Sequence, residues 1–188
     1  MPAAITLLRA ALLGGGLLLA ACATQAPPTR LPPIASNGPQ SPVINVIYGA
    51  DAAFRQPPLL AGKPADAAVN VMRLEWLAEE VPRNITFTNF SSITGPAMGA
   101  ARGAIRRDMG IAANAPAQLV IDSLERALPA LASNDRAALA AALPAPVFSP
   151  DTPDRLAAMP REPEAVLAFR RAIRDLEFGR DDVFPLGM

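Results

Sequence analysis

From residue 66 onward, apolar residues recur every three or four positions, which is the spacing of one face of an α-helix. Prolines, glycines and capping residues divide this pattern into six short predicted helices. They are Asp66–Val81, Pro96–Met109, Asn114–Leu128, Asp135–Leu143, Thr152–Met159 and Glu162–Gly179. The chain is therefore expected to be mainly α, an irregular bundle of about six short helices that meet at proline-marked corners.

The expected helix ends follow from local chemistry. Thr94 and Asn134 are each expected to cap the start of a helix, because such side chains accept hydrogen bonds from the first helical amides. Pro129 is expected to kink or end the helix that contains it, since proline has no amide hydrogen to donate to the preceding turn.

Two segments favour extended structure instead. Val43–Tyr48 is β-branched and apolar, and Ile85–Phe90 alternates apolar with polar residues. Both are predicted to be strands, which could pair into a small two-stranded β element. Such a ribbon would need helices packed against it to be stable.

The first 22 residues have the pattern of an export signal. Arg9 precedes a short apolar run, and the small residues Ala20 and Ala21 precede Cys22. The apolar run is shorter than the ~20 residues that a helix needs to cross a bilayer. Residues 1–21 are therefore expected to be a removable signal peptide.

The run Leu19-Ala20-Ala21-Cys22 resembles the lipobox of bacterial lipoproteins. The resemblance covers the signal alone, and it implies that Cys22, the only cysteine, becomes the acylated N-terminus of the mature chain. Two or three acyl chains anchor a protein stably, whereas one does not. Ala23 is not the aspartate that favours the inner membrane in this family. The resemblance thus implies a lipid-anchored envelope protein, with the periplasmic face of the outer membrane favoured.

Prolines are frequent in residues 22–42, which contain no carboxylate. Proline-rich segments favour an extended backbone of ~3.1 Å per residue, so this segment is expected to be a lipidated spacer between membrane and domain. A proline-rich ligand for a protein groove is the alternative. The expected organisation is a signal peptide (1–21), the spacer (22–42), one helical domain (43–180) and a short tail (181–188).

Composition narrows the possible chemistry. With no histidine and a single cysteine that is expected to be acylated, the mature chain would lack the side chains for Ser-His-Asp or Cys-His catalysis and for imidazole metal sites. The formal net charge is +0, whereas proteins that bind nucleic acid usually carry a basic excess or stripe. No catalytic residue, metal site or cofactor is therefore predicted, and no nucleic-acid partner is expected.

One pair of carboxylates keeps hydrolysis open. Glu75 and Glu79 are four residues apart, and they therefore share one face of a predicted helix. Paired carboxylates could hydrolyse a glycan or bind a divalent cation through oxygen. The simpler interpretation is a solvated helix face, because like charges at this spacing cost only a few tenths of a kcal/mol.

One pair of arginines is a candidate anion site. Arg102 and Arg106 are four residues apart and flank a row of glycines with the same spacing, Gly95, Gly99 and Gly103. A glycine row lets another backbone approach closely. The alternative is a shallow notch in which two guanidinium groups bind a phosphate or carboxylate.

Two further features have structural interpretations. Arg170, Arg171 and Arg174 form a second basic face, which nearby carboxylates on the same helix are expected to neutralise. Trp76, the only tryptophan, is expected to pack in the core, because aromatic side chains bury large apolar areas.

Three classes of function are compatible with this sequence. The first is a lipid-anchored envelope protein, whose non-catalytic helical domain binds a partner protein or a cell-wall polymer such as peptidoglycan. The second is a binder of small anions or lipid headgroups through Arg102 and Arg106. The third is a carboxylate-dependent glycan hydrolase that uses Glu75 and Glu79. The missing catalytic side chains and the tether favour the first class.

Overall fold

The computed structural model of this protein describes residues 27–179. These residues form eight α-helices and two 3₁₀ turns without any strand, and an isolated bridge joins Ile111 to Phe148. The helices are α1 Pro33–Ser36, α2 Pro42–Arg55, α3 Pro64–Glu80, α4 Thr94–Met109, α5 Ala117–Ser133, α6 Arg136–Ala142, α7 Thr152–Ala157 and α8 Pro163–Phe178. The 3₁₀ turns are Pro57–Leu59 and Ile85–Phe87. The predicted fold class, an irregular bundle of short helices, is confirmed.

The central helix of the bundle is α3. It packs against α1, α2, α4, α5 and α7, while α8 packs against α2 and α4. The side chains of Val71, Met72 and Leu77 in α3 are fully buried. All six helices expected after residue 60 are present as α3 to α8, because their apolar stripes face this shared core.

The predicted strand at Val43–Tyr48 is wrong, because this segment is the first half of α2. Pro42 opens the helix, a position where its missing amide hydrogen costs nothing. Val46, Ala50 and Phe54, four residues apart, are all buried. The six-residue segment is too short to show this helical period. Packing of α2 against α3 and α8 outweighs the β preference of branched side chains.

The second predicted strand, Ile85–Phe90, is also wrong. It begins as a 3₁₀ turn, in which the Thr86 amide donates to Oδ1 of Asn84 at 2.9 Å. Phe87 and Phe90 are both buried, and their rings meet edge to face with centroids 5.1 Å apart. Their spacing of three residues places both rings on one side of the turn, so the sequence alternation does not reflect a strand.

Residues 27–42, named the docked segment, pack on the domain through the part from Thr29 to Ser36. Trp76 Nε1 donates to the carbonyl oxygen of Thr29 at 3.0 Å. The Thr29 amide donates to Oε1 of Glu80 at 2.9 Å, and Arg83 Nη2 donates to Thr29 Oγ1 at 2.7 Å. The predicted spacer is therefore corrected, since this part of it belongs to the domain.

A second helix, α5, and a further residue of α3 also hold the docked segment. Arg30 reaches α5, where its Nη2 lies 2.9 Å from Oε2 of Glu125. In α1, Ala35 is fully buried and its carbonyl oxygen accepts a hydrogen bond from Arg73 Nε at 2.7 Å. Proline favours an extended backbone whether it is solvated or docked, and the partners that decide between the two are distant in sequence.

The structure corrects both predicted caps. Thr94 is the first residue of α4, and its Oγ1 donates to Oδ2 of Asp175 at 2.5 Å instead of accepting from helix amides. Asn134 ends α5 in the left-handed region, at a φ of 53°. Asp135 caps the start of α6 by accepting from two of its amides. Asparagine adopts the left-handed conformation more readily than most residues, and this preference places Asn134 at the end of α5 instead of at the start of α6.

Pro129 lies inside α5, which continues to Ser133. Proline removes one helical hydrogen bond, here the bond to the carbonyl oxygen of Glu125. Pro129 is exposed, so water can satisfy that oxygen. The apolar face of α5, which packs on α3, outweighs the loss.

Candidate functional site

The four charged residues singled out in the sequence meet between α3 and α4. Arg106 pairs with Glu75, and Arg102 pairs with Glu79. These four residues are named the charge cluster. Because each candidate catalytic carboxylate lies against a candidate anion-binding arginine, the two predicted sites neutralise each other.

Arg106 is the buried centre of the charge cluster. Its Nε and Nη2 each lie 2.7 Å from an oxygen of Glu75, in a two-point contact between side chains that are 4% and 1% exposed. Its Nη1 donates to the carbonyl oxygens of Ala113 at 2.8 Å and Ala115 at 2.9 Å. The prediction that Arg106 binds an external anion is corrected, since its anion is Glu75.

The Glu75 carboxyl is poorly placed for acid–base catalysis. Burial raises its pKa, while the hydrogen bonds and the charge of Arg106 oppose the rise. No face of this carboxyl is open to a polymer substrate, because its side chain is 1% exposed. The pair instead ties α3 to α4 and to the loop that follows α4.

Arg102 and the glycine row are more open. The side chains of Arg102 and Glu79 are 25% and 33% exposed. A methyl group at Gly99 or Gly103 would meet no atom within 4 Å, whereas one at Gly95 would lie 3.4 Å from Cβ of Pro82. The expected close approach of another backbone therefore occurs only at the first of the three glycines.

A group of carboxyls at the start of α8 was not predicted. Glu162, Glu164 and Asp108 lie close enough for the other two carboxyls to affect the pKa of Glu162. Burial, together with those neighbours, raises the pKa of Glu162 to about 7. Asp108 lies on α4, so no local sequence pattern indicates the group. Within residues 27–179, no set of His, Cys, Asp and Glu side chains could hold a metal ion.

An apolar cleft of about 210 Å³ lies between α6 and the loop before α7, and is named the distal cleft. Its apolar lining consists of Leu139, Ala140, Leu143, Ala145, Phe148, Pro150 and Pro153. Arg136, the charged residue of the lining, is exposed and lies 2.7 Å from Asp154. The cleft is therefore shaped to accept an apolar group.

The start of the docked segment is bonded near the last residue of α3, whereas α7, the helix that contributes Pro153 to the distal cleft, is bonded near the first residue of α3. Helix α3 has 17 residues and is therefore ~25 Å long. Before its first residue, the Gly62 amide donates to the carbonyl oxygen of Ala157 in α7, the helix that contains Pro153 of the cleft. Near its last residue, Trp76 and Glu80 hold Thr29.

Residues 82–96, the connection between α3 and α4 together with the first turn of α4, are named the loop surface and lie at the same end of α3 as Thr29. Ile85 and Ile93 are 82% and 54% exposed. Two clefts of about 470 Å³ each share Ser91 and Ser92 as lining residues. One is lined by Arg83 and Ile85, and the other by Ile93 and two arginines of α8.

Those two arginines, Arg171 and Arg174, belong to the second basic face predicted from the sequence. Asp175, one of the carboxylates expected to neutralise it, is buried and accepts hydrogen bonds from the Ser91 amide and from Thr94. Glu177, the other, accepts a hydrogen bond from the hydroxyl of Tyr48 at 2.8 Å. Both carboxylates thus bond to groups on other elements.

An aromatic cluster supports the loop surface. Trp76 and Phe87 meet edge to face with centroids 6.0 Å apart, and Phe87 meets Phe90 in the same manner. Trp76 is partly buried and packs on the core, as expected, and its indole also holds the docked segment. The spacing of Phe87 and Phe90 was the one sequence signal for this cluster.

Three predictions lie outside the described residues. They are the signal peptide, the acylation of Cys22 and the tail of residues 181–188. Between residues 27 and 179, no helix is both long and apolar enough to cross a membrane. Comparison with known proteins finds no matching family model, no matching curated protein and no matching solved structure.

Proposed function

We propose that the chain is a lipid-anchored envelope protein whose non-catalytic helical domain binds a partner protein through the distal cleft. One observation carries the proposal: the docked segment begins near the last residue of α3, whereas α7, which contributes Pro153 to the distal cleft, is bonded to the chain just before the first residue of α3. An anchor at Cys22 would hold the end of α3 beside the docked segment at the membrane and present the other end to the periplasm.

The short distance along the chain between Cys22 and the docked segment supports this arrangement. Pro27, the first residue of the docked segment, follows the proposed acylated Cys22 by five positions. A fully extended chain spans at most ~3.6 Å per residue, so Cys22 would lie within about 18 Å of Pro27. The domain is thereby held close to the membrane, instead of at the end of a long stalk.

The chemistry of the distal cleft supports a protein as the occupant. Clefts that bind free small molecules usually have volumes of ~300–1,000 Å³, and this cleft has about 210 Å³. Its lining is mainly apolar, whereas a cell-wall glycan would need many hydrogen-bond partners. An apolar side chain of a protein partner, buried as an anchor, fits both its size and its chemistry.

The two alternatives have weaker support. Arg106 is buried against Glu75, which opposes anion or headgroup binding through Arg102 and Arg106. The same contact opposes a glycan hydrolase that would use Glu75 and Glu79, since a substrate would have to displace an arginine. An outer-membrane location, on its periplasmic face, follows from Ala23 and stays a prediction.

A photoreactive amino acid at Ala140 is expected to cross-link a specific protein in intact cells, because Ala140 is exposed and lines the distal cleft. The same residue at Ala141 is the matched control, since Ala141 is also exposed on α6 and does not line the cleft. We expect an adduct at Ala140 several-fold stronger than at Ala141.

The substitution Ala140→Arg, which places a charged side chain in the distal cleft, supplies a second test. It should remove the partner from a pull-down of the lipidated protein while leaving the helical circular dichroism signal unchanged. Equal cross-linking at positions 140 and 141, or none at either, would contradict the proposal. A glycan adduct at Ala140 would replace the protein partner with a cell-wall polymer.

A further inference from the structure

We infer that the loop surface, residues 82–96, lies within the headgroup region of an anionic membrane, with Ile85 inserted between lipids. This inference rests on the lipid anchor of the proposed function. It adds a second, direct contact between the folded domain and the bilayer. That contact would fix the orientation of the domain.

The position of the loop surface supports the inference first. Arg83 donates to the hydroxyl of Thr29 at 2.7 Å and lines the first cleft of the loop surface. Thr29 lies two residues after Pro27, where the described chain begins. The chain that leads to Cys22 therefore leaves the domain beside the loop surface. Thr29 follows Cys22 by seven positions, so an anchor at Cys22 would lie within about 25 Å of this surface.

Its chemistry supports the inference second. No aspartate or glutamate occurs in residues 81–107, so no carboxylate of this segment would be repelled by lipid phosphates. The exposed tip carries Ile85, and the polar residues near it are mostly hydroxyls and amides. Arg171 and Arg174 line the second cleft together with the buried Asp175, and the two cations would favour an anionic lipid surface.

Its rigidity supports the inference third. The buried rings of Phe87 and Phe90 pack against each other beneath the exposed residues of the turn. The Ser91 amide donates to the buried carboxylate of Asp175 at 3.1 Å. At the other end of the loop, Glu80 accepts hydrogen bonds from Arg83 and from the Asn84 side chain. A loop that is already ordered loses little entropy when it inserts.

The test uses the full lipidated protein in vesicles of phosphatidylethanolamine and phosphatidylglycerol. An environment-sensitive dye is attached through Ile85→Cys or through Leu59→Cys. Leu59 is the matched control, because it is 52% exposed and precedes the opposite end of α3. We expect lipid-borne quenchers to quench the dye at position 85 several-fold more strongly than the dye at position 59.

The outcomes separate this inference from the proposed function. Flotation with the vesicles that is lost in Cys22→Ser reports the anchor alone. Flotation combined with equal quenching at positions 85 and 59 would overturn the membrane contact and leave the anchor intact. Strong quenching at 85 that disappears in vesicles of phosphatidylcholine alone would confirm the expected dependence on anionic lipid, and quenching that is unchanged there would overturn it.

Discussion

Replacing Arg106 with methionine is expected to lower the free energy of unfolding by about 3–5 kcal/mol, because the change leaves the Glu75 carboxylate buried without its partner. The carbonyl oxygens of Ala113 and Ala115 also lose their donor. Chemical denaturation of the purified protein measures the effect. Arg102→Met is the control, and should cost no more than about 1 kcal/mol because its pair with Glu79 is partly solvated.

The loss in Arg106→Met should also depend on pH. In the variant, burial still raises the pKa of Glu75, and the opposing effect of Arg106 is lost. Below the unfolded-state pKa of about 4.3 the carboxyl is neutral in both states, so the cost is smallest there, and it grows as the pH rises toward neutrality. Glu75→Met combined with Arg106→Met should recover most of the stability. Equal losses in Arg106→Met and Arg102→Met would refute the buried pair.

Truncating Phe169 to alanine is expected to lower the free energy of unfolding by about 3–5 kcal/mol, the usual cost of deleting a fully buried phenylalanine. Phe169 in α8 is 0% exposed, and its ring stacks on Phe54 of α2 with centroids 5.4 Å apart. This contact holds α8 against α2, the helix whose first half was predicted to be a strand. Thermal and chemical unfolding of the variant measure the loss.

Phe178→Ala is the matched control for that change. Phe178 ends the same helix and is 75% exposed, so its truncation should alter stability by less than about 0.5 kcal/mol. If the two variants were equally stable, α8 would not dock through Phe169. The packing of α2 described above would then be wrong.

The fold was predictable where capping residues, prolines and an apolar stripe all indicated a helix. The last six helices met that condition, because apolar stripes over about two turns or more identify a helix without knowledge of its partner. Val43–Tyr48 failed because its branched side chains favour a strand locally, while burial of Phe54 and Ala50 further along the helix decides the outcome. Short windows therefore mislead where tertiary packing opposes propensity.

The candidate site was predictable in its parts but not in its assembly. The sequence indicated that Glu75 and Glu79 share one helix face and that Arg102 and Arg106 share another. The two glutamates and the two arginines have the same four-residue spacing and opposite charges. This match was the one sequence signal that α3 and α4 lie side by side. The docked segment had no comparable signal, since the tryptophan that holds Thr29 lies 47 residues away.

The mass of the N-terminal peptide of the protein isolated from membranes tests the central claim most directly. We expect the mature chain to begin at Cys22 and this residue to carry diacylglycerol. We also expect Cys22→Ser to abolish both palmitate labelling and membrane association. An unmodified Cys22, or a mature chain that begins elsewhere, would contradict the lipid anchor and with it the proposed orientation of the domain.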